Sequence, residues 1–150
     1  MTGLLKAGTY GFHDLETGDL IHTKTAEISA DLITSFANLT GDRYALHLDD
    51  DVARARGFKS RVAHGLLVLS VVDGLKFQAE AKLDGLASLG WDWRFENPVF
   101  AGDRIRAVLT VTAKRITASG KRGIIAFHFD VLNQDDQRVQ QGTNELIFDL

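Results

Sequence analysis

The run GLLVLSVVDGLKFQAEAK, from Gly65 to Lys82, constrains the fold more than any other stretch. It has the length of a helix rather than a strand, and its Leu66–Val72 portion is apolar all round. A helix with no polar face has to be enclosed, so the rest of the chain must supply the enclosure. Downstream the pattern changes from helix to sheet. Leu89, Trp91, Trp93 and Phe95 recur at period two within Leu86–Phe95, and similar alternation predicts strands over Ile105–Ile116, Gly123–Leu132 and Val139–Phe148. Pro98, Gly102-Asp103, Ser119-Gly120 and Asp135-Asp136 punctuate them. Short turns between successive strands imply a mostly antiparallel sheet with one long helix against it, an α+β architecture.

Upstream of the long helix, residues 1–20 read as a lead-in with Gly8, Gly11 and Gly18 as turns, and Leu20–Ile28 as a first strand. Ser29 is placed to cap a helix through ADLITSFANL, with Leu32, Phe36 and Leu39 on one face and Ile33 and Ala37 beside them. Gly41 then supplies a left-handed stop, and Asp42 lies just past it, where a side chain can point into a cleft. A second short helix is expected over Asp49–Ala55, with acidic residues at its positive end.

Composition narrows the function classes. One domain over 1–150 is expected, because 150 residues with 45% hydrophobic and 25% charged content give room for a real core. A net charge of −3 argues against nucleic acid as the partner. With no cysteine, disulfides, thiolate catalysis and Cys-containing zinc sites are excluded. His13, His22 and His128 are scattered without ligand spacing, so no metal is expected. The N-terminus lacks the apolar core of a signal peptide, and the run from Leu66 is too short to span a bilayer, which points to a cytoplasmic protein.

Chemistry concentrates between Phe36 and Lys76. Asp42 and His47 stand five residues apart in an irregular segment, and a carboxylate beside an imidazole can act as an acid–base pair. The same aspartate also suits a plain turn, and the same histidine a plain surface loop. A second pair, His64-Gly65, opens the long helix.

The segment GDRYALHLDDDVARARGFKSRVAHGLL resembles the signature of the MaoC-like, R-specific enoyl-CoA hydratase family, Gly-Asp-x-Asn-Pro-Leu-His followed by His-Gly, and FENPVFAGDRIRA resembles a later strand-turn-strand segment of that family. The resemblance implies a hot-dog fold, a curved antiparallel sheet wrapped around a central helix, usually dimeric. It implies hydration of a 2-enoyl thioester to an R-3-hydroxyacyl thioester, with Asp42 and His47 as the catalytic pair and the Gly65 N–H as a donor to the thioester oxygen. The substrate would be an acyl-CoA or acyl-carrier-protein thioester, with coenzyme A as part of the substrate and no separate cofactor. Tyr44-Ala45 replaces the family's Asn-Pro, and Tyr44 is expected either to substitute through its hydroxyl or to fill the pocket.

Bland roles stand beside these. His64 is expected to position the loop, and Gly65 also suits close packing. Arg54, Arg56, Lys59 and Arg61 could meet coenzyme A phosphates or be solvated charges. Lys114, Arg115, Lys121 and Arg122 are expected at the surface, and Trp91 and Trp93 in the core or a dimer contact. Two other functions fit the same fold: a thioesterase, and a non-catalytic acyl-binding subunit.

Overall fold

The structure, a computed structural model, describes residues 2–150. Its elements run in order β1 (Gly8–Tyr10), a 3-10 turn (Phe12–Asp14), β2 (Leu20–His22), β3 (Ala26–Ile28), α1 (Ala30–Thr40), α2 (Ala45–Leu48), α3 (Asp50–Ala55) and α4 (Gly65–Gln78). Then follow β4 (Ala81–Leu83), β5 (Ala87–Phe95), β6 (Asp103–Ile116), β7 (Arg122–Leu132) and β8 (Arg138–Asp149). The main sheet has the order β2-β6-β7-β8-β5, with β3 also on β6, and every pairing in it is antiparallel. The four long strands are the ones that alternation predicts, with ends shifted by one or two residues.

The sheet's inner face carries Leu109, Phe127, Phe129 and Phe148, all fully buried, and α4 contributes Leu67, Val68 and Val72 to the same cluster. Burying one such side chain stabilises the fold by about 1.5–3 kcal/mol. Trp91 and Trp93 pack their rings on Phe129 at 5.3 and 5.7 Å, which places them against the core.

Two polar residues interrupt the apolar inner face of β8. Gln140 Nε2 donates to the Gly65 carbonyl in the first turn of α4, 3.1 Å away. Asn144 Oδ1 accepts from Lys76 Nζ in the last turn, at 3.2 Å. Both amides also reach the edge strand β5. The Trp93 indole donates to Gln140 Oε1 at 2.8 Å, and Asn144 Nδ2 donates to Ser88 Oγ and Gly90 O at 2.7 and 2.8 Å. Lys76 is only 3% exposed and pairs with Asp73 at 2.7 Å. Gln140, Asn144 and Lys76 thus each meet partners, as burial requires.

Several expectations need correction. Helix α4 is not buried all round: Leu67, Val68, Val72 and Leu75 are buried, whereas Leu66 and Phe77 are 61% and 68% exposed. Uniform hydrophobicity in that run reflects two apolar surfaces, one covered by the chain's own sheet and one left open. The helix also stops at Gln78 rather than Lys82, because Ala79 is extended and residues 81–83 pair parallel to β1 as β4. Three residues are too few for alternation to reveal a strand, and the same holds for β1 in the supposed lead-in.

Leu20–Ile28 is two strands rather than one. Thr23 breaks it, its hydroxyl taking the N–H of Ala107 at 2.9 Å. On α1, Ile33 and Ala37 form the buried side with Leu32 and Phe36 against the core, whereas Leu39 stands exposed at the last turn. Lys114 is not a free surface charge: its ammonium donates to Leu15 O and lies 4.6 Å from the centre of the Phe12 ring. Among the described residues no helix is long and apolar enough to cross a membrane.

Phe129 joins the sheet to both tryptophans, so Phe129→Ala should lower the unfolding free energy by about 3–5 kcal/mol. Denaturant titration measures this. A loss below about 1 kcal/mol would mean that the ring is not a core anchor.

Candidate active site

Asp42 owes its place to the end of α1. Ser29 Oγ accepts the Leu32 N–H at 3.0 Å to start that helix, and Gly41, at φ +81, donates its N–H to Ala37 O at 2.9 Å to end it. The left-handed residue turns the chain away, a conformation that glycine adopts without steric cost. Asp42 Oδ1 then faces the Tyr44 N–H at 3.4 Å, and Oδ2 faces His47 Nε2 at 3.9 Å.

His47 sits on α2 with its ring oriented by the backbone. Nδ1 lies 2.6 Å from the Val62 carbonyl, which can only accept, so Nδ1 carries the proton and Nε2 in the neutral ring is a bare acceptor facing Asp42. Val62 is itself held by donating its N–H to Leu46 O at 3.1 Å. The preceding residue is tied from α3: Asp50 Oδ1 accepts from Arg61 N at 2.9 Å and Arg61 Nε at 3.3 Å. The Arg61 backbone N–H, then its guanidinium, holds the Asp50 carboxyl below its ordinary value.

His64 is buried and touches both members of this pair. Its Nε2 lies 2.9 Å from the Asp42 carbonyl, and its ring stacks on His47 with centroids 3.8 Å apart and planes 26° from parallel. Phe36 meets it edge-on. Asp42, His47 and His64 each bring one ligand atom within 4.8 Å of the others. Stacking, however, sets the in-plane lone pairs of the two imidazoles in nearly parallel planes, and a metal between them would lie out of both rings. The donor set suits a small hydrogen-bonded molecule better than an ion.

Beside this trio lies a cleft of about 350 Å³, lined by His47, Phe58, Val62, Gly65, Phe95 and Gln140 among others. Gly65 is the first residue of α4, where N–H groups have no intrahelical partner and the helix end is positive. The space opened by its missing Cβ is filled by Phe95, since a Cβ there would lie 2.4–2.7 Å from carbons of that ring. Gly65 is therefore needed for packing. A second cavity, of about 240 Å³, lies at the other end of α4 beside Asp73, Lys76 and Leu86, far along the helix from the histidines.

The other singled-out residues take varied positions. Tyr44 is half exposed and stands edge-on to His47 at 5.8 Å. Arg54 pairs with Asp51 at 3.2 Å, Arg61 is held by Asp50, and Lys59 lies over Phe100 at 4.7 Å, leaving Arg56 exposed at the end of α3. Val62, Asp50 and Phe95 carry no catalytic signal in sequence. Val62 acts through its carbonyl, which any residue has. Gln140 had a faint signal, as a polar residue at an inward position of an alternating strand.

Comparison with known proteins gives a consistent family. The sequence profile described as MaoC like domain matches residues 15–128. The chain is 39% identical over 85 residues to the (R)-specific enoyl-CoA hydratase of Aeromonas caviae, covering 55% of this chain and 61% of that protein. It is 31% identical over 103 residues to the mitochondrial 3-hydroxyacyl-[acyl-carrier-protein] dehydratase of Arabidopsis thaliana, covering 69% and 60%. The match thus spans about 60% of the length of these curated relatives. In structure it is similar to a Mycobacterium tuberculosis protein described as having a double hot-dog fold, with a TM-score of 0.84 at 22% identity over 97% of this chain and 46% of that one. The sheet and central helix are therefore a hot-dog fold.

The lowered pKa of Asp50 means that its carboxylate stabilises the folded state above the ordinary carboxylate pKa, a contribution lost as pH falls through the lowered folded value. Asp50→Asn should accordingly be less stable than wild type at neutral pH, with the gap closing in acid. Thermal unfolding of both proteins from about pH 7 to about pH 2 reads this directly. A gap independent of pH would contradict the assignment.

Proposed function

The chain belongs to the MaoC-like dehydratase family, and on that premise we propose that it adds water reversibly to a trans-2-enoyl thioester to give an R-3-hydroxyacyl thioester. The observation that carries this reading is the approach of His47 Nε2 to Asp42 Oδ2, 3.9 Å, with the imidazole proton committed to Val62 O. Two acceptors that face each other need a donor between them. A water about 2.8 Å from each would subtend about 90° at its oxygen, close to what two O–H bonds can serve.

From that seat the chemistry balances with water alone. The water oxygen bonds to C3 as its proton passes to the Asp42–His47 pair, the C2–C3 π electrons move toward the thioester oxygen, and a proton returned to C2 completes the product. Negative charge on the thioester oxygen is met by the Gly65 N–H at the positive end of α4; removing a donor of this kind typically costs about 3 kcal/mol of transition-state stabilisation. The chemistry is redox-neutral and calls on no cofactor beyond the coenzyme A or carrier protein attached to the substrate.

The relatives named above, one an acyl-carrier-protein dehydratase and the other an R-specific enoyl-CoA hydratase, support each carrier and the R configuration. Arg56 and Lys59, within two residues of the cleft-lining Phe58 in sequence, are the cations proposed for coenzyme A phosphates, since Arg54 and Arg61 already hold carboxylates. A homodimer is part of the same reading. The unpaired edge of β5 with exposed Leu89 and Phe95, and the open stripe of α4 with Leu66 and Phe77, suit a second copy of the chain.

The test follows loss of the enoyl-thioester ultraviolet absorbance with crotonyl-CoA and longer 2-enoyl-CoAs. Wild type should hydrate at least one of them, and Asp42→Asn and His47→Ala should each lower kcat/KM by at least about 100-fold while remaining folded. No hydration across the panel, with free thiol released from saturated acyl-CoAs instead, would replace this reading with a thioesterase.

A further inference from the structure

Gln140 has no part in the hydration chemistry as described, yet it is 2% exposed and lines the cleft. Its orientation is fixed. The Trp93 indole N–H can only donate, so Gln140 must turn Oε1 toward it, 2.8 Å away, and Nε2 toward the Gly65 carbonyl, 3.1 Å away. The amide thereby fastens the first turn of α4 to β8 and, through Trp93, to the edge strand β5. Phe95 on that same strand covers Gly65 from the other side.

We propose that Gln140 is a positioning residue for the thioester-oxygen donor: by holding the Gly65 carbonyl it aims the Gly65 N–H into the cleft. The proposal rests on the oxyanion role assigned to Gly65 above. Asn144 provides an internal control, because it is an equally buried amide on the same face of β8, holding the opposite end of α4 through Lys76. If such amides serve only to dock the helix, the two should behave alike. If the first turn must be aimed, only Gln140 should matter for turnover.

Two variants separate the halves of the amide. Gln140→Met removes both hydrogen bonds at similar length. Gln140→Glu keeps an acceptor for Trp93 but turns an oxygen toward the Gly65 carbonyl, which repels it. Both should lower kcat about 10- to 100-fold with KM changed by less than about threefold, as expected for a misaimed group. Asn144→Leu should lower the melting temperature and leave kcat unchanged at a temperature where all variants are folded.

A binding measurement keeps the proposal separate from the hydratase reading. Acetoacetyl-CoA forms an enolate that resembles the charge on the thioester oxygen, whereas butyryl-CoA does not. Calorimetry should show wild type preferring acetoacetyl-CoA, and Gln140→Glu erasing the preference with butyryl-CoA affinity unchanged. Should wild type hydrate no enoyl-CoA yet show this pattern, the hydratase reading falls and the placement of the donor stands. Absence of the preference in wild type, its survival in both Gln140 variants, or equal kcat losses in Gln140→Met and Asn144→Leu would overturn the proposal.

Discussion

The fastening of α4 to β8 by two buried amides is the constraint on which the rest of this structure depends. An apolar helix on an apolar sheet can slide or rotate at little cost, because hydrophobic burial has no direction. Gln140 and Asn144 remove that freedom, one at the Gly65 carbonyl and the other at Lys76. The edge strand is caught in the same bonds through Trp93, Ser88 and Gly90. A register slip of two residues in β8, which keeps every side chain on its own face, would leave both amides buried away from their partners, a cost of about 1–3 kcal/mol each, so the polar pair selects one arrangement from many apolar ones.

The site lies at the Gln140 end of that arrangement, and its parts come from separate segments. Asp42 follows α1, His47 lies on α2, the Val62 carbonyl sits just before α4, and Gly65 begins it. Backbone groups join them: His47 reaches Val62, His64 reaches Asp42, and Arg61 reaches Asp50. The Val62 carbonyl fixes the tautomer of His47, and the tautomer decides which nitrogen confronts Asp42. The stacked His47 and His64 rings keep the pair from spreading apart.

Much of this was legible in sequence, and the gaps have physical causes. Period-two alternation located the four long strands: β6, β7 and β8 each have one face in the core, whereas in β5 only Trp91 and Trp93 pack against it and Leu89 and Phe95 are exposed. Ser29 and Gly41 marked the ends of α1 through capping chemistry, and the Asp42–His47 spacing and the likeness of the flanking residues pointed to the pair. Helix α4 misled, since Leu66 and Phe77 look like core residues when composition is all there is to go on. The three-residue strands β1 and β4 fell below the length at which alternation is visible. Lys76 shows that a long aliphatic stem can carry a charge into the interior when acceptors await it, and the half-buried Lys114 that a surface position can turn its ammonium onto a backbone carbonyl; no local pattern records either. Val62 could not be found at all, because its contribution is a carbonyl.

On the proposed reading, one water seated between Asp42 and His47 supplies both the oxygen and the proton from a single face of the substrate. Hydration of crotonyl-CoA in deuterium oxide, followed by proton NMR of the 3-hydroxybutyryl product, tests it most directly. The seat predicts a single deuterium at C2 on the same face as the new hydroxyl, a syn addition. Deuterium on the opposite face would require a second proton donor across the cleft and would contradict the account.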